Sequence, residues 1–252
     1  MPISKKNYKI FMINTLKESS LHKTIKNMYA LEEGSVTEAE CDGHIYDILT
    51  KNGNVIEIQT QNLGKLLKKT EDVLSRNREI KIVHPVAVHK QIELYNEKGE
   101  LLKTSRSTKK GNEYTVLKEL CGLYPILLKE NFTLELLLVN TTEKRIKKDQ
   151  PEQSENKQRR FKKDWQKTDK ILKEIIKSKT FSSKKDYLDY LPDNLPQIFT
   201  TRDIKEGLKN DPNKPKTAWK YAGILAWLLA KMNLISQTGL KGKTKLYEIS
   251  KD

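Results

Sequence analysis

Near the start of the chain Leu16, Leu21, Ile25, Met28 and Tyr29 recur at helical spacing, with Glu18, Lys23 and Lys26 between them. This pattern predicts an amphipathic helix over Thr15 to Leu31, ended by Gly34. Strand-like segments follow at Ser35 to Ala39 and His44 to Leu49, with a turn through Asp42-Gly43. Lys51-Asn52-Gly53-Asn54 predicts a tight hairpin, because Asn-Gly accepts positive φ at both central positions. The β-branched run Val55 to Thr60 has the profile of a central strand. Leu66, Leu67, Val73 and Leu74 give a second helix over Lys65 to Arg76, and Ile80 to Val88 a further strand. A hairpin over Lys90 to Ser105 turns around Asn96 to Gly99, Val116 to Pro125 reads as a short helix, and Thr133 to Val139 as another apolar strand. Helices and strands in this order predict an α/β (α+β) domain, a central mixed sheet flanked by helices, over residues 1–142.

Beyond that point the pattern changes. Thr141 to Lys163 is almost all charged or amide residues and reads as a linker, after which Phe161, Trp165, Leu172 and Ile176 resume a helical period. Residues 143–180 are therefore expected to be a basic linker and helix, and 181–252 a second domain with its own core. Within it, helices are expected over Ser183 to Leu191, from the capping sequence Thr200-Thr201-Arg202-Asp203, and over Lys216 to Met232. Leu234 to Gln237 and Lys245 to Ile249 then pair across Gly239 to Gly242.

Composition narrows the class. The formal net charge is +15 over 252 residues, which calls for a polyanionic partner, with nucleic acid ahead of an anionic membrane surface. No apolar run reaches the ~20 residues of a membrane-spanning helix. The N-terminal stretch from Lys5 to Leu16 lacks the apolar core and cleavage site of a signal peptide. The two cysteines, Cys41 and Cys121, lie far apart, which argues against a disulfide scaffold and for a cytoplasmic location. Cys41 and His44 have a zinc-like spacing, but no second ligand pair follows at finger distance.

Candidate chemistry lies across the Asn-Gly hairpin. Pairing the two strands sets Asp47 beside Glu57, and Glu57 and Gln59 share a face by strand alternation. Two converging carboxylates repel unless a cation lies between them, and oxygen-only ligands favour Mg²⁺ (or Mn²⁺), which polarises a phosphate and activates water. An ordinary sheet with one polar face exposed to water is the competing reading. The helix with Glu18-Ser19-Ser20-Leu21-His22, the strand carrying Tyr46-Asp47, the hairpin, Glu57-Ile58-Gln59 and the next helix together resemble the PD-(D/E)xK (restriction-endonuclease-like) nucleases. The resemblance covers Thr15 to Val88. It implies a metal held by Asp47, Glu57 and the Ile58 carbonyl, with Glu18 in support, and hydrolysis of phosphodiester bonds in double-stranded DNA. It also admits a homodimer, since cutting both strands of a duplex suits two-fold symmetry. The family's usual lysine is Gln59 here. Glutamine can orient water but carries no charge, so Lys65 or Lys68 from the following helix is expected to replace it; otherwise the fold only binds.

Residues 181–252 resemble a winged helix-turn-helix domain, with Lys216 to Met232 as recognition helix and Gly239 to Lys243 as wing tip. That resemblance implies DNA contacts from Lys214, Lys216, Thr217 and Lys220, with Lys241, Lys243 and Lys245 on the wing. Gly239 to Thr244 has some likeness to a phosphate-binding loop, but Gln237 stands where that motif needs glycine and no helix is expected after it. Arg106, Lys109 and Lys110 are further candidates for phosphate contact, whereas His84 and His89 read as structural. Arg159 to Lys163 either tracks a DNA backbone or is a solvated charge run. A partner held through phosphates gives affinity that falls steeply between ~50 and ~200 mM salt in gel-shift titrations; affinity indifferent to salt would point to apolar protein contacts.

Overall fold

The computed structural model describes residues 18–250 except 32, 156 and 158, so Thr15 to Lys17 of the expected first helix lie outside the described residues. Helix α1 runs Ser20–Tyr29, with the Ser19 side chain accepting from the His22 N–H at its start. A seven-stranded mixed sheet follows: β1 (Val36–Cys41), β2 (His44–Leu49), β3 (Val55–Ile58), β4 (Ile80–Tyr95), β5 (Leu101–Arg106), β6 (Phe132–Glu152) and β7 (Lys163–Phe181). Its order is β1-β2-β3-β4-β6-β7, with β5 paired to the outer half of β4. Strands β1, β2 and β3 form an antiparallel meander through the expected Asn-Gly turn, where Gly53 takes φ +82°. Strand β4 lies parallel to both β3 and β6. The fold is thus a mixed α/β sheet flanked by helices.

Two apolar clusters sandwich the sheet. Leu21 and Ile25 of α1 bury against Ile48, Ile58, Val83, Leu137 and Val139 on one face. On the other face, helices α2 (Leu67–Ser75) and α3 (Leu117–Leu120) pack Val73, Leu117 and Leu120 against Val55, Ile80, Ile82, Leu134 and Leu136. Neighbouring positions of β6, such as Leu136 and Leu137, serve opposite clusters, as strand alternation requires. The turn that leads into α2 lies close to the end of α3: a Cβ on Gly122 would come within 2.8 Å of the Gly64 Cα, so a side chain there would push α2 away.

The expectation for 143–180 is corrected. The described residues of that stretch form the outer half of β6 and nearly all of β7, and none of them is helical. Its strands are held by cross-strand charge and stacking instead of apolar alternation. Glu143 takes Lys90 at 3.1 Å and Arg145 at 2.5 Å, Arg145 stacks on Trp165 at 3.5 Å, and Lys148 meets Glu97 at 3.0 Å. The helical period read from Phe161, Trp165, Leu172 and Ile176 is not a buried face, since Phe161 and Ile176 are exposed; β7 instead carries a bulge. Val139 pairs with Ile175 but Thr141 with Leu172, so Leu172 and Ile175 both reach the α1 cluster although three apart.

Residues 183–250 form α4 (Lys184–Leu188), α5 (Thr201–Asn210), a 3-10 turn over Ala218–Tyr221, α6 (Ala222–Lys231) and the hairpin β8 (Ile235–Lys241) with β9 (Thr244–Ile249). Thr200 and Asp203 make the expected capping box. A separate core for this module is not what is found: one apolar cluster runs from Ala39 to Tyr247. Phe181 stacks on Tyr190 with centroids 5.5 Å apart, the Tyr114 hydroxyl donates to the Tyr190 carbonyl at 2.8 Å, and Tyr124 meets Trp227 edge-on at 5.7 Å. Both parts should therefore unfold in urea as one transition, and Phe181→Ala should lower its midpoint by an amount worth about 3–5 kcal/mol. Two separate transitions would show that the modules are energetically independent.

Candidate functional site

The polar centre lies where the meander loses its regular pairing. In β1 the register matches Thr37 with Ile48 and Ala39 with Tyr46, but Glu38 and Asp47 are not paired. Glu38 sits at φ +51°, a left-handed conformation costly for a residue other than glycine and found where surroundings enforce it. On the other side β2 and β3 splay, and side chains take over the ladder. The Asp47 N–H donates to Glu57 Oε1 at 3.3 Å, and the Ile58 N–H donates to Asp47 Oδ2 at 2.7 Å.

Helix α1 supplies the first set of partners. Glu18, His22 and Lys26 are spaced by four and line one edge of the helix. His22 Nδ1 meets Glu18, its Nε2 lies 3.3 Å from Asp47 Oδ2, and the Lys26 ammonium bridges Glu18 at 2.8 Å and Glu38. Lys26 is only 5% exposed. Burial alone would lower its pKa, but Glu18 and Glu38 outweigh that and hold it raised. The same balance raises His22 against its burial, through Asp47 and Glu18. Asp47 is half-buried, which alone would raise its pKa, yet His22 and the Ile58 N–H hold it below the ordinary carboxylate range.

Glu57 takes its partner from α2. Lys69 Nζ lies 2.5 Å from Glu57 Oε1, reaches the Ile45 carbonyl, and sits 4.9 Å above the Tyr46 ring. Burial nevertheless pushes Glu57 up to about 7, with Asp47 adding to the shift against the pull of Lys69. Two neighbouring carboxylates are thus set apart, one firmly ionised and one poised near neutrality.

The expected replacement lysines are corrected: Lys65 and Lys68 are exposed, while Lys69 makes the contact. Lys69 stands one helical turn before the buried Val73, a signal present in the sequence and passed over. Lys26, His22 and Glu38 were likewise not singled out for this centre. Gln59 lies just past β3, where its amide donates to the carbonyls of Gln61 at 2.7 Å and Asn62 at 3.4 Å. Its own carbonyl meets Nδ1 of the buried His84 at 2.6 Å, and the adjacent Pro85 has no N–H to offer.

Among the described residues no cluster of three or more His, Cys, Asp and Glu side chains is arranged to hold a metal ion. The oxygen donors of Asp47 and Glu57 still suit Mg²⁺, which commonly takes one or two carboxylates and fills its shell with water and phosphate. A divalent cation would also offset the cost of ionising Glu57.

The remaining predicted contacts divide. Lys109 and Lys110 line a cavity with His84, whereas Arg106 lines a different one with Lys173 and the buried Thr141 and Thr142. In the C-terminal part, Lys214 donates to the Asp189 carbonyl at 2.6 Å and Thr217 accepts from Asn112 at 2.8 Å, so these two serve internal contacts. Lys216 and Lys220 are exposed, Lys220 lying 5.7 Å from the Trp219 ring. The expected recognition helix is the 3-10 turn and the shorter α6, which buries Leu225, Leu228 and Leu229 and lays Trp227 on Tyr124. Lys241, Lys243 and Lys245 stand exposed around the β8–β9 turn.

Fold and site define a mixed α/β protein with a desolvated carboxylate–cation network at the end of its central strands. The chain belongs to the family described as Domain of unknown function (DUF8091), which matches residues 19–182 and so takes in both long strands β6 and β7. It is also similar to an uncharacterized protein of Treponema pallidum (strain Nichols), 28% identical over 194 residues that cover 77% of this chain and 74% of that one. No solved structure matches. Among the described residues no helix is long and apolar enough to cross a membrane.

Because Glu57 binds its proton more tightly folded than unfolded, its contribution to stability falls as pH rises from the ordinary 4.5 to about 7. Glu57→Gln should therefore be more stable than the natural protein at pH 8, on the order of 1–3 kcal/mol by urea unfolding, with the gap closing near pH 4.5. A gap independent of pH would show that Glu57 does not titrate in this way.

Proposed function

We propose that the chain is a divalent-metal-dependent nuclease of restriction-endonuclease-like fold acting on double-stranded DNA. The observation that carries this reading is the Asp47–Glu57 pair at the splayed end of β2 and β3, with Lys69 on Glu57. The order of elements also supports it: α1, the β1–β3 meander, α2 and then parallel β4 follow the course that the PD-(D/E)xK resemblance implies. Asp47, Glu57 and the Ile58 carbonyl would hold Mg²⁺ or Mn²⁺, which supplies Lewis-acid polarisation of the phosphate and a more acidic bound water. Lys69 then provides the positive charge that Gln59 lacks, and Gln59 orients water once its amide leaves the Gln61 and Asn62 carbonyls. His22 and Glu18 position Asp47.

The C-terminal order supports a winged-helix reading: α4, the Phe199–Tyr247 bridge, α5, α6 and the β8–β9 hairpin. With Lys214 and Thr217 engaged internally, the hairpin lysines carry the larger share of the proposed DNA contact. A homodimer would serve cleavage of both strands. One observation favours a second reading, a DNA-binding protein without catalysis: His22 and Lys69 already neutralise the two carboxylates, and Gln59 is bound to its own loop.

Plasmid DNA incubated with Mg²⁺ or Mn²⁺ should be nicked or linearised. Glu57→Ala should reduce the rate at least ~100-fold, Lys69→Ala ~10–100-fold, and Ca²⁺ should not support cleavage. No cleavage with either metal, alongside intact gel-shift binding, would select the non-catalytic reading. Replacing Lys241, Lys243 and Lys245 with alanine should weaken duplex binding across sequences and reduce the salt slope by up to about one per lysine; unchanged binding would remove the hairpin from the interface.

A further inference from the structure

A second polar cavity, of about 410 Å³, opens just past the end of β3, where one edge of β4 lacks a strand partner before β5. Five lysines line it, against two glutamates: Lys90 from β4, Lys109 and Lys110 from the loop after β5, and Lys167 and Lys170 from β7. The glutamates are already committed, Glu143 to Lys90 and Arg145, and Glu119 to the Leu63 N–H at 3.0 Å. Among the described residues, Lys109, Lys110, Lys167 and Lys170 form no ion pair with any carboxylate. Lysines from separate parts of the chain therefore face one cavity in excess, five against two carboxylates.

The arrangement is built in, and does not come from loose surface lysines. Gly111 anchors the Lys109–Lys110 loop on β4 by donating to the Ala87 carbonyl at 2.9 Å. A Cβ there would come within 2.6 Å of that oxygen, so only glycine lets the loop lie so close. Lys170 extends from a strand position paired with Glu143, and burial together with the like charges of Lys167 and Lys90 pushes it down to about 8. An anion in the cavity relieves that repulsion. His84 and Thr60 form the wall toward the polar centre, and the His84 contact to the Gln59 carbonyl joins the two regions. The cavity falls in the ~300–1,000 Å³ range of small-ligand sites, enough for a phosphate with its sugar and too small for a duplex.

We propose that this lysine-walled cavity is a binding site for a single phosphate group, presented by a nucleotide or by one strand of a nucleic acid. The site is defined by binding alone and does not depend on cleavage at Asp47 and Glu57.

Isothermal titration calorimetry at low salt tests it with four probes: inorganic phosphate, deoxyadenosine monophosphate, and one short single-stranded oligonucleotide with and without a 5′-phosphate. Saturable binding of the monophosphate is expected, weakened at least tenfold by Lys170→Met and by the double variant Lys109→Ala/Lys110→Ala. Neither variant should melt below the natural temperature, since these side chains form no ion pair among the described residues and Lys170→Met removes a desolvated like charge. Lys98→Ala, in the exposed turn between β4 and β5, should leave monophosphate binding unchanged. A tenfold preference for the phosphorylated oligonucleotide assigns the cavity to a strand end, and equal affinity that is still lost in both lysine variants assigns it to an internal phosphate. No saturable binding of phosphate or monophosphate, or binding within twofold of the natural protein in both variants, overturns the proposal.

Discussion

Charge buried away from water has to be met by opposite charge, and the region between α1, the meander and α2 is organised by that requirement. Lys26 is almost fully enclosed and survives as a cation because Glu18 and Glu38 both reach it. To bring Glu38 inward, β1 accepts a left-handed residue and gives up one pairing with β2. That break turns Asp47 toward His22 and leaves the Asp47 N–H to Glu57. Lys69 completes the chain of compensation from the other face of the sheet. Removing Lys26 would leave Glu18 and Glu38 without their shared cation, so this part of the network is as much a folding constraint as a candidate for chemistry.

The apolar parts of the fold could be read from the sequence because burial there follows regular periods. α1, the Asn-Gly hairpin, the β3 run and the Thr200 capping box lie where patterns of three to four, two, or a fixed turn predict them. Asp47 and Glu57 were legible for the same reason, since a hairpin fixes which residues stand opposite one another. Strands β6 and β7 were not. Beyond the core, Glu143 meets Lys90 and Arg145 meets Trp165 across the ladder, which leaves no apolar alternation to detect. The spacing of Leu172 and Ile176 suggests a helix, although Ile176 is exposed and the partly buried partner of Leu172 is Ile175, across a bulge. Lys69 was missed by one position, because choosing among Lys65, Lys68 and Lys69 depends on where α2 starts, and the 3-10 turn before it shifts the phase.

The two proposed sites draw on different physics. In the carboxylate centre each charge already has a partner, so a ligand must displace or join an existing arrangement. The lysine cavity carries surplus positive charge held by a glycine-anchored loop and a strand, so a ligand fills an electrostatic deficit without rearrangement. One hydrogen bond, between His84 Nδ1 and the Gln59 carbonyl, spans the wall between them.

The continuous core that joins α6 and Tyr190 to the sheet has a geometric consequence. A module on a flexible tether can grip a target at many separations, whereas one welded through Tyr114, Phe181 and Trp227 presents its hairpin at one fixed offset from the sheet. Under the proposed DNA-binding reading that makes the molecule a ruler, with the spacing between hairpin contact and sheet contact written in the packing of aromatic rings.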